Sequence, residues 1–159
     1  MATPNEKLAT SLEVLSKLQG VSGNVIKSSE LSRTHRERLV RTGFLKDVIA
    51  GWLVVTRPDD REGDSTYWYA SFWEFCLRYC NNKFNNEWCL SPEQSLLLHA
   101  ESPAIPVQVV VWSPKASGNN RPLPFQTSIY DLKKELPSKE DLELIDGIPV
   151  LTVEAALTK

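Results

Sequence analysis

A short cationic helix, predicted within the segment "SSELSRTHRERLVRTGFL" of residues 28–45, most limits how this chain can fold. Ser32 is a suitable N-cap and Gly43 a suitable stop, so the sequence predicts a helix from Arg33 to about Thr42. Leu39 is its best candidate for burial, and the opposite half of the helical wheel is mostly cationic. Because the segment holds little else that could fill a core, neighbouring elements must complete the fold.

The flanking segments predict those neighbouring elements. Before the helix, "NEKLATSLEVLSKLQG" has apolar residues at helical spacing and Gly20 as a suitable stop. "GNVIK" then predicts a short strand, and Ser28 is a suitable N-cap for a short helix. After the cationic helix, "FLKDVIAGWLVVTRP" predicts two strands with a tight turn or bulge at Gly51. The order helix, short helix, helix and β-hairpin is that of a winged helix-turn-helix.

The rest of the chain predicts a second unit. The polar stretch "RPDDREGDST" predicts a linker, which is followed by an aromatic-rich helix, a short strand and a helix capped by Ser91. Several apolar strands follow, and the last two flank the hairpin signal at Asp146 and Gly147. Helices first and strands after indicate the α+β class. The sequence therefore predicts a winged helix-turn-helix over residues 1–60 and a small α+β domain over residues 61–159.

Charge is distributed unevenly along the chain. The formal net charge is -2, yet residues 27–46 contain six basic and two acidic side chains, a local charge of +4. The remainder therefore carries about -6, since the whole chain sums to -2. A basic island on an otherwise acidic protein indicates a surface with one particular use.

The basic island predicts a DNA-binding surface. In a helix-turn-helix the first residues of the second helix, here Arg33 and Thr34, reach base edges, and arginine is best shaped to read guanine. Arg41 and Lys46 lie further along and are better placed to contact phosphates. The complete set of candidate DNA-binding residues is Lys27, Ser28, Ser32, Arg33, Thr34, Arg36, Arg38, Arg41 and Lys46.

Two features of the sequence oppose this prediction. Glu37 lies in the middle of the cationic face and repels phosphate, and the net acidity of the chain predicts weak nonspecific binding. An arginine-rich helix is also commonly just a solvated surface, and the sequence leaves this alternative open. His35 lies beside the buried anchor Leu39 on the helical wheel, which favours a structural role for it over base reading.

Other kinds of site find little support. Cys76 and Cys80 are four residues apart on the aromatic helix, and Cys89 with His99 could complete a zinc site, but the spacing is atypical. Burial is the commoner role of such cysteines. Neither a nucleophile elbow nor a phosphate-binding loop is visible. We therefore expect no metal, no cofactor and no catalytic residues, and we do not expect an enzyme.

The cellular location follows from similar arguments. The three cysteines form no disulfide framework, no apolar run reaches membrane-spanning length, and the N-terminus lacks the pattern of a secretory signal. We expect a cytoplasmic protein with no membrane partner. The aromatic cluster is too dense for one buried face, so part of it is expected to bind another domain, with a large shared core as the alternative. Its members are Tyr67, Trp68, Tyr69, Phe72 and Trp73.

The run from "VIKSSELS" to "LVRTGFLKDVIAGWLVV" contains a step from a helix into a hairpin that is marked by Arg41, Gly43, Leu45, Gly51 and Trp52. This step resembles the N-terminal winged helix of the AbiEi-like antitoxins of type IV toxin-antitoxin systems. The later stretches "LSPEQSLLLHA" and "IDGIPVLTVEAAL" resemble further segments of that family in the same order. The resemblance implies DNA binding and transcriptional autoregulation of the antitoxin type.

The stretches "LSRTHRERL", "GDSTYWYASFW" and "WCLSPEQSLLLHA" resemble the N-terminal extension of certain bacterial Fic-family proteins. In those proteins a Fic domain follows and transfers AMP to hydroxyl side chains, with the signature H-x-F-x-[D/E]-G-N-G-R, which this chain lacks. The chain stops at "AALTK", where the related pattern continues. The resemblance therefore implies a truncated or stand-alone regulatory half without AMP-transfer activity, with a Fic or other toxin domain as partner in cis or in trans.

Two functions follow from these observations. The first is a DNA-binding transcriptional regulator with an antitoxin-like role, for which double-stranded DNA is the partner. The alternative is a protein-interaction module that docks and controls a toxin or Fic domain without binding DNA. Modules of the first kind commonly bind palindromic sites as homodimers, but the sequence leaves the oligomeric state open.

Overall fold

The computed structural model describes residues 2–60 and 63–159 of an α+β protein, which confirms the predicted class. The chain divides into two compact units, Met1–Glu74 and Phe75–Lys159, so the division falls inside one helix, α3 (Thr66–Phe84). The sequence places the division after residue 60, in the polar stretch, of which Arg61 and Glu62 lie outside the described residues.

The first unit has its helices and strands in the predicted order. They are α1 (Pro4–Ser22), β1 (Val25–Lys27), a 3-10 helix at Ser28–Glu30, α2 (Arg33–Arg41), β2 (Leu45–Ile49), β3 (Trp52–Val55) and the first part of α3. The three strands form an antiparallel sheet in the order β1-β3-β2. Helix α1 continues past Gly20, because the residue that turns the chain is Gly23, with φ 74°. The predicted stop at Gly20 is therefore wrong by part of a turn.

One apolar cluster joins α1, α2 and the sheet. Its buried members are Leu15, Ile26, Leu31, Leu39, Leu45 and Leu53. Leu39 is fully buried and is the one residue of α2 that is classed as buried. Leu39 is therefore the buried apolar anchor of the nine-residue helix, as its sequence predicts, and the other side chains of α2 lie at the surface or between elements.

Two glycines of the first unit are expected to respond in opposite directions to alanine. Gly20 lies inside α1 with no atom within 4 Å of the position a Cβ takes, so Gly20→Ala should raise the free energy of unfolding. The expected gain is about 0.5–1 kcal/mol, because alanine restricts the unfolded chain and favours the helix. Gly43 has φ 88°, and a Cβ there lies 3.0 Å from Cα of Pro58. Gly43→Ala should therefore lower the free energy of unfolding by about 1–2 kcal/mol.

Urea denaturation of both glycine variants beside the wild type measures these effects. A stabilised Gly43→Ala protein would contradict the left-handed turn that ends α2. A destabilised Gly20→Ala protein would contradict the continuation of α1 through that residue.

The second unit is built on a four-stranded sheet. After the second part of α3 its elements are β4 (Cys89–Leu90), α4 (Pro92–His99), β5 (Gln108–Ser113), β6 (Asn120–Pro122), β7 (Ser128–Lys133), β8 (Leu142–Ile145), β9 (Ile148–Leu151) and α5 (Val153–Thr158). The sheet has the order β4-β5-β7-β6, in which β5 and β7 are parallel, and β8 pairs with β9 as a hairpin. Ser91 caps α4 as predicted, since its side chain accepts a hydrogen bond from the Gln94 N–H.

The groups weighed for metal binding lie in the second unit and have other roles. All three cysteines are buried, and burial raises the pKa of each thiol, to about 12 for Cys89. They are therefore thiols at neutral pH. His99 uses Nε2 to bond the Leu151 carbonyl at 2.7 Å. Among the described residues, no group of three His, Cys, Asp or Glu side chains could hold a metal ion.

None of the described helices has the length and the apolar character needed to cross a bilayer.

Candidate nucleic-acid interface

The start of α2 is presented to solvent by its N-cap. Ser32 is extended at φ -64° and ψ 154°, and its Oγ accepts a hydrogen bond from the His35 N–H at 3.3 Å. This bond satisfies one of the free N–H groups of the first turn and fixes where the helix begins. Ser32, Arg33 and Thr34 are all exposed. The residues that the sequence predicts to reach base edges are thus accessible.

Arg33 forms an ion pair with Glu37, one turn further along α2. Nε of Arg33 donates to Oε1 of Glu37 at 2.8 Å, and the two side chains are 81% and 60% exposed. The hydrogen bond and the charge of Glu37 raise the pKa of Arg33, and the same bond and charge lower the pKa of Glu37. Because exposed pairs of this kind are weak and screened by salt, Arg33 can exchange Glu37 for another anion at little cost.

Arg41 differs from Arg33 in having no partner among the described residues. It is exposed on the last turn of α2, and within residues 2–60 and 63–159 its guanidinium makes no hydrogen bond or ion pair. Arg41 is therefore the most readily available cation of the predicted set.

Arg36 and Arg38 hold α2 against the rest of the first unit. Nη1 of Arg36 donates to the carbonyl of Ser28 at 3.0 Å. Nη1 of Arg38 donates to the carbonyl of Lys7 at 3.2 Å and to Oγ of Ser11 at 2.9 Å. Both arginines are in the set predicted to meet DNA, and the structure gives both of them acceptors within their own unit.

His35 belongs to the same structural cluster as Arg38. Its Nδ1 lies 2.8 Å from Oγ of the fully buried Ser11. The same Oγ accepts a hydrogen bond from Nη1 of Arg38, so Ser11 joins both side chains of α2 to α1. His35 is thus a partner of α1, in line with the structural role that its position on the helical wheel favours.

Lys46 lies on the opposite face of the sheet from α2. Successive side chains of a strand point to opposite faces, and Leu45 packs in the cluster beneath α2. Nζ of Lys46 instead lies 4.7 Å from the centre of the Tyr67 ring. The structure therefore does not bring Lys46 together with the cations of α2. Lys27, the last residue of β1, pairs with Trp52 across the sheet.

A shallow groove between α2 and β2 contains charges of both signs. It is lined by Arg36, Glu37, Val40, Arg41 and Asp47. Asp47 is an acid that sequence reasoning did not place here, because the strand had to be paired before its face was known. Two arginines and two carboxylates leave this groove close to neutral.

The aromatic cluster is mostly core. Trp68 and Phe72 are fully buried, with their rings in an edge-to-face arrangement at 5.6 Å. Tyr67 and Trp73 are partly buried, and Tyr69 is the most exposed of the five. Tyr69 is thus the exposed part of the cluster that the sequence predicts, while most of the cluster is core, and its binding to another domain stays a prediction.

Comparison with protein-family models, with curated proteins and with solved structures finds no match to this chain.

Proposed function

We propose that this protein is a DNA-binding transcriptional regulator of the antitoxin type, which reads double-stranded DNA with the first turn of α2. The observation that carries the proposal is the exposed, serine-capped start of α2, with Arg33 and Thr34 at its first two positions. Accessible arginine at the start of such a helix is suited to the major groove, where it can donate two hydrogen bonds to guanine.

The arrangement of the unit supports the proposal. The helix lies beside a three-stranded antiparallel sheet of order β1-β3-β2, whose β2–β3 hairpin is in the position of a wing. This is the element order of a winged helix-turn-helix, the fold that the sequence predicts. The resemblance of the same segment to AbiEi-like antitoxins adds the role of autoregulation.

The proposed contacts are divided among fewer residues than the sequence suggests. Arg33 and Thr34 read bases, and Ser32 and Arg41 contact phosphates. Arg36 and Arg38 act indirectly, since they hold α2 on α1 and on the 3-10 helix. The acids Glu37 and Asp47 beside this surface make binding weaker and more selective for the correct sequence, because a poorly matched duplex gains little from the net charge.

The experiment is fluorescence anisotropy with duplexes from the region upstream of the protein's own gene, at several salt concentrations. We expect a steep decrease of affinity with salt. Arg33→Ala should weaken binding to the matched duplex about tenfold and reduce sequence preference, whereas Arg41→Ala should make the slope of log K against log salt shallower by about 1. Arg33→Lys should keep the slope but lose sequence preference, because lysine lacks the planar fork.

The control is Lys17→Ala. Lys17 is exposed on α1 and pairs with Glu13 at 3.7 Å, so it tests the loss of any surface cation. Equal effects of Arg33→Ala and Lys17→Ala on DNA affinity would show that the start of α2 does not read the bases. An absence of binding at low salt would exclude the proposed function and would favour the interaction module.

The interaction module is the second candidate, and the second unit supplies its one supporting observation. Leu144, Val153 and Leu157 are large apolar side chains that remain exposed there, and the last two are one turn apart on α5. If the regulator also controls a Fic or other toxin domain, as the resemblance implies, these residues are candidates for that contact.

A further inference from the structure

A second groove in the first unit lies between the first turns of α1 and the last turn of α2. Its volume is about 450 Å³. The residues that line it are Pro4, Asn5, Lys7, Leu8, Arg38, Arg41 and Thr42. Lys7 is outside the set of cations that the sequence singles out.

This groove differs in charge from the groove on the other side of α2. Three of its lining residues, Lys7, Arg38 and Arg41, are cations and none is an acid. The groove beside β2 shares Arg41 but contains Glu37 and Asp47. An anion that approaches Arg41 is therefore attracted more strongly to the α1 side of the helix than to the β2 side, where carboxylates offset the arginines.

None of the three cations is paired with a described carboxylate, and their side chains differ in how firmly they are held. Arg38 is fixed by its bonds to the Lys7 carbonyl and to Ser11, both of which are uncharged acceptors. Its charge is therefore retained, and its orientation is set before any ligand arrives. In the part of the chain that the structure describes, the Lys7 ammonium and the Arg41 guanidinium have no carboxylate partner within ion-pair distance.

We propose that this groove, which we call the α1–α2 groove, binds one backbone phosphate of the DNA that α2 reads. The inference rests on the proposed function and adds Lys7 to the interface. Arg41 lines the groove and is also exposed at the end of α2, so a strand that follows the helix passes the groove opening. A phosphate there displaces condensed counterions and is held by charge rather than by base identity.

The test is Lys7→Ala, measured by the same anisotropy titrations beside the Lys17→Ala control. Both lysines are exposed on α1, and the change at Lys7 leaves its backbone carbonyl in place for Arg38. We expect Lys7→Ala to weaken binding about three- to tenfold near 0.1 M salt, to lower the salt slope by about 1, and to act equally on specific and random duplexes. Lys17→Ala should change none of these.

The outcomes separate the inference from the function on which it rests. If the wild type binds DNA but Lys7→Ala behaves as Lys17→Ala does, the groove is not part of the interface and the proposed function stands. If the wild type binds no duplex, both fail. NMR titration with inorganic phosphate tests whether the ligand is a free anion rather than DNA. Chemical-shift changes at the Lys7 and Arg38 amides, in a protein that binds no DNA, would overturn the assignment to DNA.

Discussion

Leu39→Ala is expected to lower the stability of the first unit by about 3 kcal/mol. The side chain is fully buried in the cluster with Leu15, Ile26 and Leu53. Its truncation removes apolar contacts and leaves a cavity that the surrounding side chains fill only in part. Because α2 has nine residues, it is too short to be stable without this anchor. We therefore expect hydrogen exchange of the α2 amides to accelerate and DNA binding to be lost with it.

Urea denaturation combined with hydrogen exchange locates this effect. Leu39→Met is the matched variant, since a swap of similar volume usually costs less than about 1.5 kcal/mol. Thr34→Ala, at an exposed position of the same helix, should change stability by less than about 0.5 kcal/mol. A Leu39→Ala protein as stable as the wild type would show that other residues hold α2. The assignment of a buried face at Leu39 and an exposed cationic face would then be wrong.

The features of α2 that could be predicted from sequence are those with local causes. Ser32 caps the helix through an N–H three residues away, and Gly43 follows it with a positive φ that favours glycine. Leu39 is the one strongly apolar residue on its face. Such signals require only the residues within a turn or two, so helix, cap and buried anchor are found without knowledge of the tertiary fold.

The partners of the arginines could not be predicted in the same way. Arg38 bonds a carbonyl 31 residues earlier, which depends on how α1 and α2 cross. A helical wheel places Arg38 on the exposed half, yet its long side chain reaches back to α1. The positions of Lys46 and Asp47 likewise depend on which strand face meets the core. Lys7 is missed for the same reason: it joins the other cations only after folding.

In the second unit, the sequence does not predict a strand that forms only because it pairs with a neighbouring strand. Strand β6 lies within the stretch that the sequence predicts to be a long turn, and all of its residues are exposed. It is a strand because Asn120, Arg121 and Pro122 pair with β7 at the edge of the sheet. No residue type in that stretch favours a strand. The predicted turn is therefore partly wrong, because pairing prevails over local preference.

Asp131→Ala is expected to lower the stability of the second unit by about 3 kcal/mol. The Asp131 side chain on β7 is 5% exposed, and it accepts a hydrogen bond from Lys83 Nζ at 2.9 Å. It also accepts from the backbone N–H groups of Gly118 and Asn119 at 2.8 and 2.9 Å. The alanine leaves one ammonium and two N–H groups without this acceptor. The carboxylate thus joins α3 and the β5–β6 connection to β7.

An exposed ion pair of the same unit provides the control. Lys115 and Glu87 are 3.1 Å apart and about half exposed. Lys115→Ala should cost no more than about 0.5 kcal/mol, because water replaces the lost partner. Asp131→Asn keeps the size and one acceptor oxygen, so its loss should lie between those of the other two variants. If Asp131→Ala and Lys115→Ala cost the same, the buried pair does not anchor β7.

The same carboxylate makes the stability of the second unit sensitive to acid. Burial raises the pKa of Asp131, but the hydrogen bonds from Lys83 and the two N–H groups outweigh this and lower it below the usual value. A pKa lowered by folding gives stability that is present above about pH 4, the usual range of aspartate, and is lost as pH falls through the folded value. The difference in unfolding free energy between wild type and Asp131→Asn should therefore be largest near neutrality and shrink below about pH 4. Urea denaturation from pH 7 down to pH 3 measures it, and a difference that stays constant over this range would show that the Asp131 carboxylate is not responsible.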